Sequence, residues 1–154
     1  MTIHVLTASG AIAGLVALQN VIDGNIRAAL IWLIVCQVLD GVDGPIARRY
    51  SASEHANRID GHILDLVVDF VTCVVVPVAL LTQTRLVPRA ATMWIAGLIL
   101  LTSALWFAKT EQETPDAWFN GFPAGWNIVI PSFLILDASH RTVTLLTIFF
   151  CALQ

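Results

Sequence analysis

The sequence predicts an all-α, polytopic membrane helix bundle of about six transmembrane helices. Three observations carry that expectation. Hydrophobic residues make up 57% of the 154-residue chain and charged residues only 12%, where a soluble domain carries about a quarter. Mean hydropathy is +0.79. Apolar runs alternate with short polar breaks, with no internal repeat or low-complexity stretch between them. At this length the chain is expected to be a single domain, residues 1–154. A net charge of −3 gives no argument for a nucleic-acid partner.

Residues 3–22 are the first helix candidate, and Ala8, Ser9, Gly10, Ala11, Ala13 and Gly14 make its surface small enough for close packing. Met1–His4 lacks a basic start, so no cleavable signal peptide is expected. His4 is read as interfacial. Asp23-Gly24-Asn25 is a turn. The second helix runs from Arg27 to Arg48, long enough for a hydrocarbon core of about 30 Å. Residues 49–60 are the most polar run and read as a connector. The third helix spans Gly61 to Leu81, with a kink expected at Pro77. After the loop TQTRLVPR, the fourth covers 90–108 and the fifth 123–137. Ser139-His140-Arg141 is read as a tight turn. The last run, TVTLLTIFFCALQ, is 13 residues, short of the about 20 that a span needs. The domain is therefore expected to lack its C-terminal helices or to end on a half-inserted one. Lys/Arg placement does not orient the bundle: Arg48, Arg49, Arg58 and Lys109 on one side balance Arg27, Arg85, Arg89 and Arg141 on the other. Cys36, Cys73 and Cys151 lie in apolar runs and read as small buried hydrophobes.

Four aspartates break the apolar pattern. Asp40 and Asp43 are three apart near the end of the second helix; Asp65 and Asp69 are four apart on the third. Both spacings place the pair on one helix face. Carboxylates in hydrocarbon are costly and mark function. Four together repel unless cations sit between them, and hard oxygen ligands suit Mg²⁺ or Mn²⁺. A two-metal site is expected. Gly44 and Ala47 keep the surface low beside Asp40 and Asp43, and Gly61 does so one turn before Asp65. Arg48, two turns from Asp40, suits phosphate oxygens. Asp40 and Arg48, with the clearings at Gly44, Ala47 and Gly61, thus outline a diphosphate site. The bland alternative pairs the acids with Arg48, Arg49 and Arg58 in a buried network.

Asp40-x2-Asp43-Gly44-x2-Ala47-Arg48, followed by Gly61-x3-Asp65-x3-Asp69, resembles the signature of the CDP-alcohol phosphatidyltransferases, with all eight fixed residues present. Twelve residues separate Arg48 from Gly61, a longer gap than most of the family has. That gap, together with LDGVDGPIARR, LDLVVDFVTCVVVP and WFNGFPAGWN, is similar to the bacterial branch whose acceptor is choline. The resemblance covers nearly the whole chain from Ile3 onward. It implies transfer of the phosphatidyl group of CDP-diacylglycerol to choline, giving phosphatidylcholine and CMP. It also implies Asp69 as catalytic base, and Asp40, Asp43, Asp65 and Asp69 as metal ligands. The same resemblance implies that Asp40, Gly44, Ala47, Arg48 and Gly61 bind the nucleotide. The setting implied is the bacterial inner membrane, with lipids around the bundle and the active site facing the cytoplasm; a homodimer is compatible with it.

The acceptor that the resemblance implies is a quaternary ammonium, which aromatic cages bind. Tyr50, Trp118, Phe122 and Trp126 are candidates, as are Trp106 and Phe119, and each competes with a plain interfacial role. Asn127 is a candidate to orient a ligating aspartate. Glu111, Glu113 and Asp116 read as solvated loop charges, and His55 and His62 as interfacial. Rival acceptors are glycerol phosphate, serine and inositol phosphate. Phosphorylated ones would want a basic cluster beyond Arg49 and Arg58. A divalent-cation transporter would need polar residues through the bundle, whereas IWLIVC and VTCVVVPVALL are nearly all apolar.

Overall fold

The computed structural model describes residues 2–50, 60–109 and 122–154, and side chains from residue 7 onward except those of 43–50. The helices are α1 (Thr2–Ile22), α2 (Ile26–Tyr50), α3 (Gly61–Asp69), a π-helical segment (Phe70–Val75), α4 (Val76–Thr84), α5 (Thr92–Phe107), α6 (Trp126–Ile135) and α7 (His140–Ala152). Among the described residues the secondary structure is helical throughout, without a strand. The chain divides into two compact units, Met1–Thr72 and Cys73–Gln154.

In the first unit α1 packs on α2 and on α3. Ala13, Ala17 and Val21 of α1 are buried, as are Ala29, Leu33 and Cys36 of α2. Both sets recur at helical spacing and mark one inward stripe per helix. Outward, Ile12, Leu15, Ile31, Ile34 and Val38 are all exposed. The turn between the helices is closed by Gly24 in the left-handed region (φ 76°). Asn25 N–H donates to the Asn20 carbonyl (2.8 Å) and Gly24 N–H to that of Val21 (3.1 Å). This paired closure satisfies carbonyls at the end of α1.

Gly10 and Gly14 set how near α1 comes to α3. A Cβ on Gly10 would meet Val68 Cγ1 at 3.0 Å, and one on Gly14 would meet Thr72 Cγ2 at 3.0 Å. Such separations leave no slack for a larger residue. α3 itself begins where Asp60 caps it: its Oδ1 accepts from the N–H groups of His62 (3.0 Å) and Ile63 (3.3 Å). Asp60, expected in the polar connector, is thus the helix N-cap.

In the second unit α4 packs on α5 and α6, and α5 on α7. Leu80, Leu81, Ile99, Trp126, Ile130 and Val143 are fully buried. Trp126 Nε1–H donates to Ser103 Oγ (2.9 Å), and Gln154 Nε2–H donates to the same oxygen (3.2 Å). Phe122 stacks on Phe150 (ring centroids 4.8 Å apart) and meets Trp126 edge-on (5.1 Å). Phe122 N–H donates to the Leu153 carbonyl (3.0 Å).

The boundaries differ from expectation in three places. The third expected span is continuous helix over Gly61–Thr84, and by length and composition it is long and apolar enough to cross a membrane. It widens to π-helix before Pro77, which sits in the first turn of α4, so the hydrogen-bond ladder already changes register where proline's missing N–H interrupts it. α5, α6 and α7 are shorter apolar helices. His140 and Arg141, expected in a turn, open α7, because the Ser139 hydroxyl caps it by accepting from Thr142 N–H (3.2 Å).

Candidate active site

Asp40, Asp65 and Asp69 converge in the first unit. One carboxylate oxygen from each lies within 4.8 Å of those from the other two. Asp40 comes from the latter half of α2, while Asp65 and Asp69 stand one turn apart on α3 and are half-buried. Val68 is the buried residue of α3, packed towards α1, and the two acids stand on either side of it along the helix. The three acids share a narrow cavity with Thr7 and Gly10 of α1, Cys36 and Leu39 of α2, and Val68 and Thr72.

Two unit charges about 4 Å apart repel by about 4 kcal/mol at an effective dielectric constant of about 20. Negative charge gathered this closely favours a cation among the three carboxylates. Their oxygens are hard donors close enough together to ligate one ion, and the donor set fits Mg²⁺ or Mn²⁺.

The remaining expected site residues are placed less fully. Asp43, Gly44, Ala47, Arg48 and Tyr50 lie on the α2 backbone, and their side chains are outside the described residues. Asp43 therefore shares a helix face with Asp40 by register alone. Trp118 is outside the described residues, as are Phe119, Glu111, Glu113, Asp116 and His55. Gly61 opens α3, and His62 beside it is exposed. Trp126 is fully buried in the second unit, ringed by Phe122 and Phe150, with its N–H directed at Ser103. An indole so enclosed leaves no open face for a quaternary ammonium. Phe122 is half-buried in the same cluster. Trp106 and Asn127 are buried in that unit as well.

Sequence reasoning missed the α1 wall. Thr7 and Gly10 of α1 line the cavity together with the acids, and Thr72 lines it one turn beyond Asp69. The small residues of α1 signalled close packing but not its partner.

A family model described as CDP-alcohol phosphatidyltransferase matches residues 2–153. The chain belongs to the CDP-alcohol phosphatidyltransferase family. Within that class, it is similar to proteins named phosphatidylcholine synthase. The one from Pseudomonas aeruginosa is 37% identical over 146 residues, covering 95% of this chain and 61% of that protein. The one from Bradyrhizobium diazoefficiens is 42% identical over 127 residues, covering 82% of this chain and 47% of that protein. The one from Agrobacterium fabrum is 32% identical over 148 residues, covering 96% and 61%. The chain thus spans about three-fifths of the length of the first curated relatives it matches. No solved structure matches it significantly.

Proposed function

We propose that this chain carries the active site of an enzyme that transfers the phosphatidyl group of CDP-diacylglycerol to choline, releasing CMP and forming phosphatidylcholine. The observation that carries the proposal is the convergence of Asp40, Asp65 and Asp69 in a chain whose eight signature residues are complete. The names of the relatives support choline as acceptor.

In this reading Asp40, Asp65 and Asp69 hold the divalent cation site, with Asp43 as a further ligand. Bound there, Mg²⁺ or Mn²⁺ supplies positive charge that offsets the diphosphate and the departing CMP. Arg48 grips phosphate oxygens with its planar fork. Gly44, Ala47 and Gly61 leave room for the nucleotide. Asp69 accepts the choline hydroxyl proton as its oxygen bonds to phosphorus, and the bond from phosphorus to the CMP oxygen breaks. The exposed apolar faces of α1 and α2 support a polytopic bundle in the bacterial inner membrane, since solvated proteins rarely carry such contiguous patches. The site would face the cytoplasm, and residues 1–154 would form one membrane domain.

CMP release in the presence of CDP-diacylglycerol, measured with choline, glycerol 3-phosphate, serine and inositol phosphate in turn, tests the assignment. Release with choline alone is expected. Release with glycerol 3-phosphate and none with choline would transfer the chain to another branch. Uptake of Mn²⁺ into proteoliposomes without CDP-diacylglycerol would favour a transporter instead.

A further inference from the structure

We infer that Thr72 is a positioning residue for Asp69, acting through the backbone of the π-helical segment that follows it. The inference rests on the reading of Asp40, Asp65 and Asp69 as a metal-dependent transfer site. Thr72 lies outside the eight signature residues, three positions beyond the last of them.

Three observations meet at this side chain. Thr72 sits in the π-helical segment Phe70–Val75, which begins at the residue after Asp69. Single π turns inside α-helices occur often at functional sites, because they reorient the residues beside them. The Thr72 hydroxyl donates to the Val68 carbonyl (3.1 Å). That carbonyl belongs to the peptide joining Val68 to Asp69, so holding it restrains the rotation that aims the Asp69 side chain. Thr72 is also buried and lines the cavity beside the three acids. Its methyl Cγ2 stands where a Cβ on Gly14 would come to 3.0 Å. The side chain is therefore pinned from one side by α1 while it holds the backbone on the other.

Back-bonding to the i−4 carbonyl is an ordinary habit of helical threonine, and Thr84, Thr102 and Thr144 do the same here. What separates Thr72 is its place. The others bond within regular α-helix, whereas Thr72 bonds across the change from α to π register, where carbonyl partners shift by one residue. A donor fixed at that junction decides which way the peptide before Asp69 faces.

The test uses the full chain in detergent micelles, with Mn²⁺ as probe. Wild type, Asp69→Asn, Thr72→Val, Thr72→Ala and Thr72→Ser are compared by electron paramagnetic resonance titration of Mn²⁺ and by thermal unfolding without metal. Loss of the hydroxyl should weaken Mn²⁺ binding by about tenfold or more, the scale seen when a group behind a metal ligand is removed. Thr72→Val and Thr72→Ala should fall together although they differ in shape, and Thr72→Ser should keep wild-type affinity despite a lower unfolding temperature. Wild-type affinity in Thr72→Val, or equal loss in Thr72→Ser and Thr72→Val, would overturn the positioning role while leaving the metal site standing. Equal Mn²⁺ affinity in wild type and Asp69→Asn would overturn both the positioning role and the reading of Asp69 as a metal ligand.

Discussion

The two units of this chain handle polar groups in opposite ways. In the first, carboxylates from α2 and α3 are brought together around a cavity, beside the hydroxyl-bearing residues Thr7 and Thr72. In the second, polar side chains bond one another around Ser103: Trp126 donates to Ser103, and Gln154 bridges Ser103 and Thr102. The interfaces differ in the same sense. Glycine lets α1 lie close on α3, whereas aromatic rings fill the space between α6 and the end of α7. Like charges gathered in one unit and mutual hydrogen bonds in the other are the difference: the first arrangement is the one proposed as the site, and the second reads as scaffold.

The contrast can be broken from either side. The largest effect is expected at Asp69. Asp69→Asn should lower CMP release by about 10²- to 10⁴-fold, the range for removal of a general base, with the unfolding temperature without metal unchanged or raised as like-charge repulsion falls. Next, Trp126→Ala should destabilise the protein by about 3–5 kcal/mol through the cavity it leaves, seen as a lower unfolding temperature in detergent. Mn²⁺ affinity measured below that temperature should hold, because Trp126 lies among structural side chains. Loss of Mn²⁺ binding in folded Trp126→Ala would blur the division between the units.

Gly14→Ile probes the other interface. The added side chain has no room against Thr72 and Val71, so a cost of about 1–3 kcal/mol is expected from overpacking. Here stability and Mn²⁺ affinity should fall together, unlike Trp126→Ala. The smallest effect is expected at Thr147. Its hydroxyl is buried without a hydrogen-bond partner among the described residues, so Thr147→Val should stabilise by about 1 kcal/mol. A marked loss of stability would reveal a partner for that hydroxyl.

Much of this contrast was readable from residue order. The spacing of Asp65 and Asp69 announced a shared face because a helix repeats every 3.6 residues. The all-helical architecture followed from long apolar runs, and the Asp23-Gly24-Asn25 turn from glycine's access to positive φ. Other features depend on contacts between distant residues. Nothing local pairs Gly14 with Thr72, so the α1 wall of the cavity was not visible. The burial of Trp126 needed α5 and α7 around it; alone, a tryptophan near a helix start reads equally well as an interfacial ring. The widened turn before Pro77 looked only like a kink, because Pro breaks the hydrogen-bond ladder without saying how the chain absorbs it. Asp60 could have been foreseen as a cap, since Asp before an apolar helical run is a common start signal, but the polar residues preceding it concealed the boundary.

Anomalous diffraction at the manganese edge, from crystals of the protein grown with Mn²⁺ and CMP, would test the acidic cluster most directly. The account predicts a peak bounded by Asp40, Asp65 and Asp69, with the nucleotide phosphate against it. A peak elsewhere, or nucleotide bound with those three carboxylates turned away and no metal among them, would contradict it.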